Sequence, residues 1–149
     1  MPTSRPPKVD VAALAARDAF CRDLGIELVE AQLGRAVTRV RIEPRHLNFN
    51  GSGHGGLTFT LADAAFGLAC NSHGMAAAGV DVHMIYNRAA RPGDVLIATA
   101  VEISRSASLS HYRIDVARAD GKLVAAMTGT AFTSGNPHEI KDDAPHQPS

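Results

Sequence analysis

At 149 residues, 45% hydrophobic and 20% charged, the chain has the length and make-up of one globular domain. Its formal net charge of +0 argues against nucleic acid or an anionic membrane as main partner and favours self-association. Cys21 and Cys70 stand far apart, outside any Cys-x-x-Cys motif, which suits a reducing compartment better than a disulfide framework.

Residues 1–8 form a proline-rich arm with no apolar signal core, which reads as mobile and the chain as cytoplasmic. Asp10 is placed to cap a helix from Val11 to Leu24, with Val11, Leu14, Ala15 and Phe20 as its apolar stripe and Gly25 as its stop. That helix is expected to pack as a lid on a sheet edge. Ile26–Leu33 and Ala36–Glu43 then read as a hairpin turning at Gly34. In the second strand Thr38, Val40 and Ile42 alternate with Arg39, Arg41 and Glu43, and Pro44 ends it.

A glycine-dense loop follows and passes into an apolar segment. From Leu57 to Cys70 the only polar side chains are Thr58, Thr60 and Asp63. Leu57, Leu61, Ala64, Ala65 and Leu68 fall at helical spacing, while Phe59, Ala62, Phe66 and Ala69 make the other sides apolar too. A helix apolar all round is a buried helix, and this one is shorter than the roughly 20 residues that span a bilayer. It therefore hides one ionisable group, Asp63, whose pKa burial should raise. Gly55 and Gly56 stand at the expected helix start, where free N–H groups and the positive dipole end favour negative charge. Amide donors for an oxyanion thus precede a carboxylate two turns further on.

Gly51-Ser-Gly53-His-Gly-Gly56 also matches the dinucleotide fingerprint G-x-G-x-x-G. The context opposes it. The strand before it alternates as a half-exposed strand does, Pro44-Arg-His intervenes, and Asp81 opens the next strand instead of closing it.

After the helix the period returns to two. Val80, Val82, Met84 and Tyr86 share one face, with Asp81, His83 and Ile85 on the other. Asp94–Ser104 puts Val95, Ile97, Thr99, Val101 and Ile103 on one side, and Ser110–Ala119 sets Tyr112, Ile114 and Val116 against His111, Arg113 and Asp115. Asp120-Gly121 predicts a hairpin into a last strand, Lys122–Thr133. The expected organisation is an arm and helix (1–24), a main domain (25–134) and a disordered tail (135–149). The order of helix, two strands, long helix and four strands predicts an α+β fold, a curled antiparallel sheet wrapped around the long central helix. Outer apolar positions such as Ile85 suggest an interface between copies.

Asn48-x5-His54-Gly55-Gly56-x6-Asp63, running into Ala64-Ala65-Phe66, resembles the hot-dog-fold acyl-CoA thioesterases, and within them the phenylacetate-degradation (PaaI-type) branch. The similarity continues through Ala69-Cys70-Asn71-Ser72-x-Gly74 and Gly93-Asp94, and covers residues 25–133. It implies hydrolysis of an aryl-acetyl or other short acyl-CoA in a homo-oligomer, a dimer or dimer of dimers, with active sites shared between protomers. In that frame Asp63 is general base or nucleophile, and the Gly55 N–H, aided by Gly56, holds the thioester oxygen. Asn48 and His54 orient the thioester. As plain structure, Asn48 would be a turn residue and His54 a loop brace. Phe59, Phe66 and the N-terminal helix would bound an acyl pocket. Arg88 and Arg91, with Arg105 a weaker candidate, would meet coenzyme A phosphates. The Ser or Thr that many relatives place near 79–81 is missing from Gly79-Val80-Asp81, and Asp81 is the candidate replacement. No metal-binding motif is visible, since the histidines are scattered, and no cofactor is implied. A hot-dog hydratase or a non-catalytic acyl-CoA binder are the rival functions.

Overall fold

The computed structural model describes residues 9–138. The proline-rich arm and residues 139–149 of the expected tail lie outside the described residues. Two short helices come first, α1 (Val11–Ala16) and α2 (Ala19–Leu24). The hairpin β1 (Glu27–Gln32) and β2 (Arg35–Arg41) follows, then a single 3-10 turn at Pro44–His46. The long helix α3 spans Gly55–Asn71. Four strands complete the domain: β3 (Met75–Tyr86), β4 (Val95–Arg105), β5 (Leu109–Arg118) and β6 (Leu123–Pro137). All six strands form one antiparallel sheet in the order β1-β2-β4-β5-β6-β3. With no parallel strand feeding it, the Gly51–Gly56 loop is no dinucleotide fold. Gly53 is glycine because its backbone sits against Ala90 and Ile42, where a Cβ would come within 3.0 Å of the Ala90 side chain. Among the described residues no helix is long and apolar enough to cross a membrane.

The sheet curls round α3, and small side chains set how close the two come. Leu96, Ala98 and Ala100 of β4 line the inner face beside Ile114 and Val116 of β5, all fully buried. From α3, Leu61, Ala62, Ala65 and Ala69 meet them with no exposed surface. Burying one such leucine side chain is worth about 1.5–3 kcal/mol. Phe66 is wedged deepest. Its ring stacks tilted on Tyr112, centroids 5.4 Å apart, and abuts Gly79 and Gly129, where added Cβ atoms would lie 2.7 and 2.9 Å from it.

Several expectations need correction. The N-terminal helix breaks in two, because Asp18 caps a second start by accepting from the Cys21 N–H at 2.9 Å, as Asp10 caps the first. Phe20 is consequently turned out and exposed. In β4 the inner row is Leu96, Ala98 and Ala100; the bulkier row Val95, Ile97, Thr99, Val101 and Ile103 faces outward, since the inner one must admit a helix. A bulge between Gly79 and Asp81 shifts the alternation of β3, so Val80 leaves the row of Val82 and Met84 and lies exposed. The last strand runs beyond Thr133 to Pro137, which pairs with Met75. Lastly, α3 is not hidden all round, for Gly56 and Asp63 are exposed and Thr60 half-buried on one stripe.

The Phe66 ring leaves no room for a Cβ at Gly79. Replacing Gly79 with Ser should destabilise the fold by about 1–3 kcal/mol in urea titrations, as overpacking does. In a Phe66→Leu background the same change should cost much less; equal cost in both backgrounds would show that the ring is not the reason.

Candidate active site

The loop that leads into α3 is tied down at each step. The Asn48 Oδ1 accepts from the Asn50 and Ser52 N–H groups at 2.9 and 3.2 Å, and Gly51 makes the turn with φ of 74°. The Gly53 N–H donates to the Ala90 carbonyl and the His54 N–H to the His46 carbonyl, both at 2.8 Å. His46 is buried. Its Nδ1 accepts from the Glu43 N–H at 3.0 Å, which leaves Nε2 to donate to the Leu24 carbonyl at 2.9 Å. This imidazole anchors the loop to the end of α2, a role that nothing in the sequence signals.

His54 is the N-cap of α3, its Nδ1 accepting from the Gly56 N–H at 2.8 Å. That bond corrects the expectation for Gly56, whose amide is already spent on the cap. The Gly55 N–H, by contrast, has no partner among the described residues. It opens beside a cleft of about 340 Å³ lined by Asn48, Ser52, Gly55, Tyr86, Asn87 and Arg88. Tyr86, unmarked in the sequence beyond its strand position, reaches across this cleft. Its hydroxyl donates to the Gly55 carbonyl at 3.1 Å and its ring lies along the Gly55 backbone. A Cβ at Gly55 would lie against the Tyr86 ring at 3.4 Å.

Asp63 stands on the exposed stripe of α3, eight residues on. At 1.5 Å per residue, it lies about 12 Å along the axis from Gly55. No described residue donates a hydrogen bond to it. Protein packed on one side of the carboxyl desolvates it and pushes its pKa up, and the nearby charge of Asp18 pushes the same way. A carboxylate that is unpaired and holds its proton more tightly than usual is suited to accept a proton near neutral pH.

The remaining candidates divide. Arg88 lines the cleft and forms no ion pair among the described residues. Arg91 lies outside it, its backbone N–H capped by the Asp94 carboxylate at 2.9 Å, and Arg105 sits 3.8 Å from Glu102. Asp81 pairs with Thr130 on the outer face of the sheet, away from α3, so within one chain it cannot replace the missing hydroxyl. Phe66 is buried in the core, and Phe59 is half-buried against that core. A half-open groove of about 460 Å³ does lie beside Ala64, but α1, α2, β1, α3 and Thr38 of β2 line it instead. No described His, Cys, Asp and Glu side chains cluster as metal ligands would.

A curled antiparallel sheet wrapped round one long helix is the hot-dog arrangement. The chain belongs to the thioesterase superfamily, whose model matches residues 50–125. The acyl-coenzyme A thioesterase PaaI of Escherichia coli is 34% identical over 123 residues, spanning 83% of this chain and 88% of that protein. The solved structure of E. coli PaaI, described as from the phenylacetic acid degradation operon, superposes with a TM-score of 0.82 over 84% of this chain and 91% of that one. A Streptococcus mutans protein solved bound to acetyl CoA matches at 25% identity and a TM-score of 0.72, covering 76% of this chain and 91% of that one.

Because the folded state raises the pKa of Asp63, ionising it opposes folding. Below the unfolded value both states are protonated and no penalty exists; the penalty grows as pH rises through the folded value. Asp63→Asn should therefore raise the melting temperature at pH 7, and the gain should vanish below about pH 4. A gain that persists in acid would have another origin.

Proposed function

We propose that the protein hydrolyses acyl-CoA thioesters to free acid and coenzyme A, at two sites shared within a dimer. One observation carries this: the uncommitted Gly55 N–H and the unpaired Asp63 carboxylate lie on one rigid helix, about 12 Å apart. A single thioester carbonyl cannot meet both from the same chain. An antiparallel pairing of two α3 helices puts each Gly55 beside Asp63 of the partner subunit. The twelve-residue β3 is the end strand of the sheet and supplies an open edge for that pairing.

In this arrangement the Asp63 carboxylate takes a proton from water as the water oxygen adds to the thioester carbonyl. The oxyanion that forms accepts from the Gly55 N–H. Collapse of the tetrahedral intermediate breaks the carbon–sulfur bond, and the Asp63 carboxylic acid returns its proton to the departing thiolate. His54 holds the helix start that aims the Gly55 amide, and Asn48 shapes the loop before it. Arg88 is placed to meet a coenzyme A phosphate.

The names of the relatives support coenzyme A as the carrier, and the PaaI likeness favours aryl-acetyl groups of phenylacetate degradation. Exposed apolar side chains on the outer sheet face, among them Ile85, Val101 and Phe132, favour a dimer of dimers. The two buried free thiols suit a cytoplasmic setting.

Thiol release from purified protein should separate this from a binder or a hydratase. Asp63→Asn should abolish turnover while acyl-CoA binding persists. Gly55→Pro removes the amide hydrogen at the first helical position, where proline is tolerated, and adds ring atoms beside Tyr86; it should lower kcat by at least about 10²–10³-fold. Co-expressing the two inactive chains should restore about a quarter of wild-type activity, because a mixed dimer carries one intact site. No recovery in proven mixed dimers would remove the shared-site arrangement.

A further inference from the structure

We propose that Gly67 is a specificity-determining residue of the shared site: its missing side chain leaves a slot beside Asp63 for the thiol arm of the substrate. The proposal rests on the hydrolase reading above and adds which position of α3 admits that arm.

Gly67 lies half-buried inside α3, one turn before the helix ends. After proline, glycine is the residue that a helix interior tolerates least. Nothing among the described residues asks for it. Gly79 and Gly129 make room for the Phe66 ring, and the glycines with positive φ turn the chain. Gly67 has no positive φ, and a Cβ added to it would meet nothing within 4 Å. Its carbonyl is already covered, accepting from the Asn71 Nδ2 at 2.8 Å and from the Cys70 thiol at 3.3 Å. What the bare position serves therefore comes from outside this chain, and it needs the space instead of a hydrogen bond.

Its position says what that is. Residues four apart are neighbours on a helix surface, so Gly67 follows Asp63 one turn on. Helical side chains lean toward the N-terminus and cover the preceding turn. A side chain at position 67 would thus lie over the approach to the Asp63 carboxylate. Asn71, one turn further, leaves the gap open because its amide is drawn aside to β3. It donates to the Ala77 carbonyl at 3.0 Å and accepts from the Ala77 N–H at 2.9 Å. Between Asp63 and Asn71 the helix is naked. In the antiparallel pairing of two α3 helices, the partner's helix begins opposite Asp63 and runs back toward Gly56. Over Gly67 there is no partner helix, and the cleft beside Gly55 of the partner subunit opens there. A thioester whose oxygen meets that amide, with Asp63 at its carbon, sends its sulfur between the cleft and Gly67. Arg88 lines the same cleft, so the arm that leads from sulfur to the coenzyme A phosphates is the part that passes the bare helix. An unbranched methylene chain next to the sulfur suits a slot with no side chain in it.

The test is a pair of substitutions in the full chain, Gly67→Ala and Gly67→Leu. Both residues are better helix formers than glycine, so activity lost in them is not a lost helix; Gly67→Ala should raise the melting temperature by about 3–6 °C. For one acyl-CoA, kcat/KM should fall about fivefold in Gly67→Ala and at least about 100-fold in Gly67→Leu, as the side chain displaces the reacting end. Calorimetry should show affinity for free coenzyme A, which carries the arm without an acyl group, falling in the same order. Affinity for the free carboxylic acid should stay unchanged, and so should the oligomer seen by sedimentation. Gly67→Ala carries the test where Gly67→Leu fails to fold. An unchanged kcat/KM in the folded variants would overturn the assignment. Dissociation of the oligomer in both variants would overturn it too, since the glycine would then serve the close approach of two chains. Loss of affinity for the acid alone, with coenzyme A binding intact, would give the slot to the acyl group and also end the proposal. If the wild type releases no thiol from any acyl-CoA, the hydrolase reading falls on its own. The coenzyme A titration then decides the slot: weaker binding in Gly67→Leu sustains it, and equal binding, or none in the wild type, removes it.

Discussion

The depth at which Phe66 is driven into the sheet governs the whole arrangement. With Gly79 and Gly129 giving way beneath its ring, α3 lies close enough for Leu96, Ala98 and Ala100 to meet Leu61 and Ala65 without voids. That contact fixes the rotation of the helix about its axis. The buried residues settle on one side, and the stripe of Gly56, Thr60 and Asp63 is left facing outward. A carboxylate could not keep its proton-accepting state on the inner side without a partner. The core packing and the chemistry are thus two outcomes of one orientation.

The same economy holds at the helix start. Four N–H groups at the head of any helix lack intrahelical partners. Here His54 takes the one at Gly56 and leaves that at Gly55, which lines the cleft, without a partner among the described residues, while Tyr86 braces the carbonyl of the same residue. In the proposed reaction, an amide fixed before substrate arrives needs no reorganisation, which is what makes such donors effective. His46, bonded at both ring nitrogens, carries the restraint back to α2.

Much of this was legible in the residues. The alternation in β5, the glycine loop and the apolar run after it point to the observed sheet and central helix, and the His54-Gly55-Gly56 to Asp63 spacing points to the family. Facing was harder to read. In β4 the residues that look like a core row, Val95 to Ile103, turn outward, because a helix rather than another sheet packs on the inside and demands alanine there. One bulge in β3 reversed the face of Val80, while Asp81 kept the outer face that the alternation gives it. Phe66 looked like a pocket wall, but its wedge depends on glycines more than ten residues away, which no local pattern reveals. The break at Asp18 went unread because Val11–Leu24 has helical spacing throughout; a mid-run Asp competing for a backbone amide was the available sign.

The end strand β3 carries a liability along with its use. From Met75 to Tyr86 it contains no lysine and no proline, the residues with which natural proteins blunt a bare sheet margin, and its sole acidic side chain follows the bulge. A single chain therefore presents a sticky ribbon to whatever strand it meets first. In the shared-site dimer proposed above, pairing along this edge would cover the ribbon as well as complete the site.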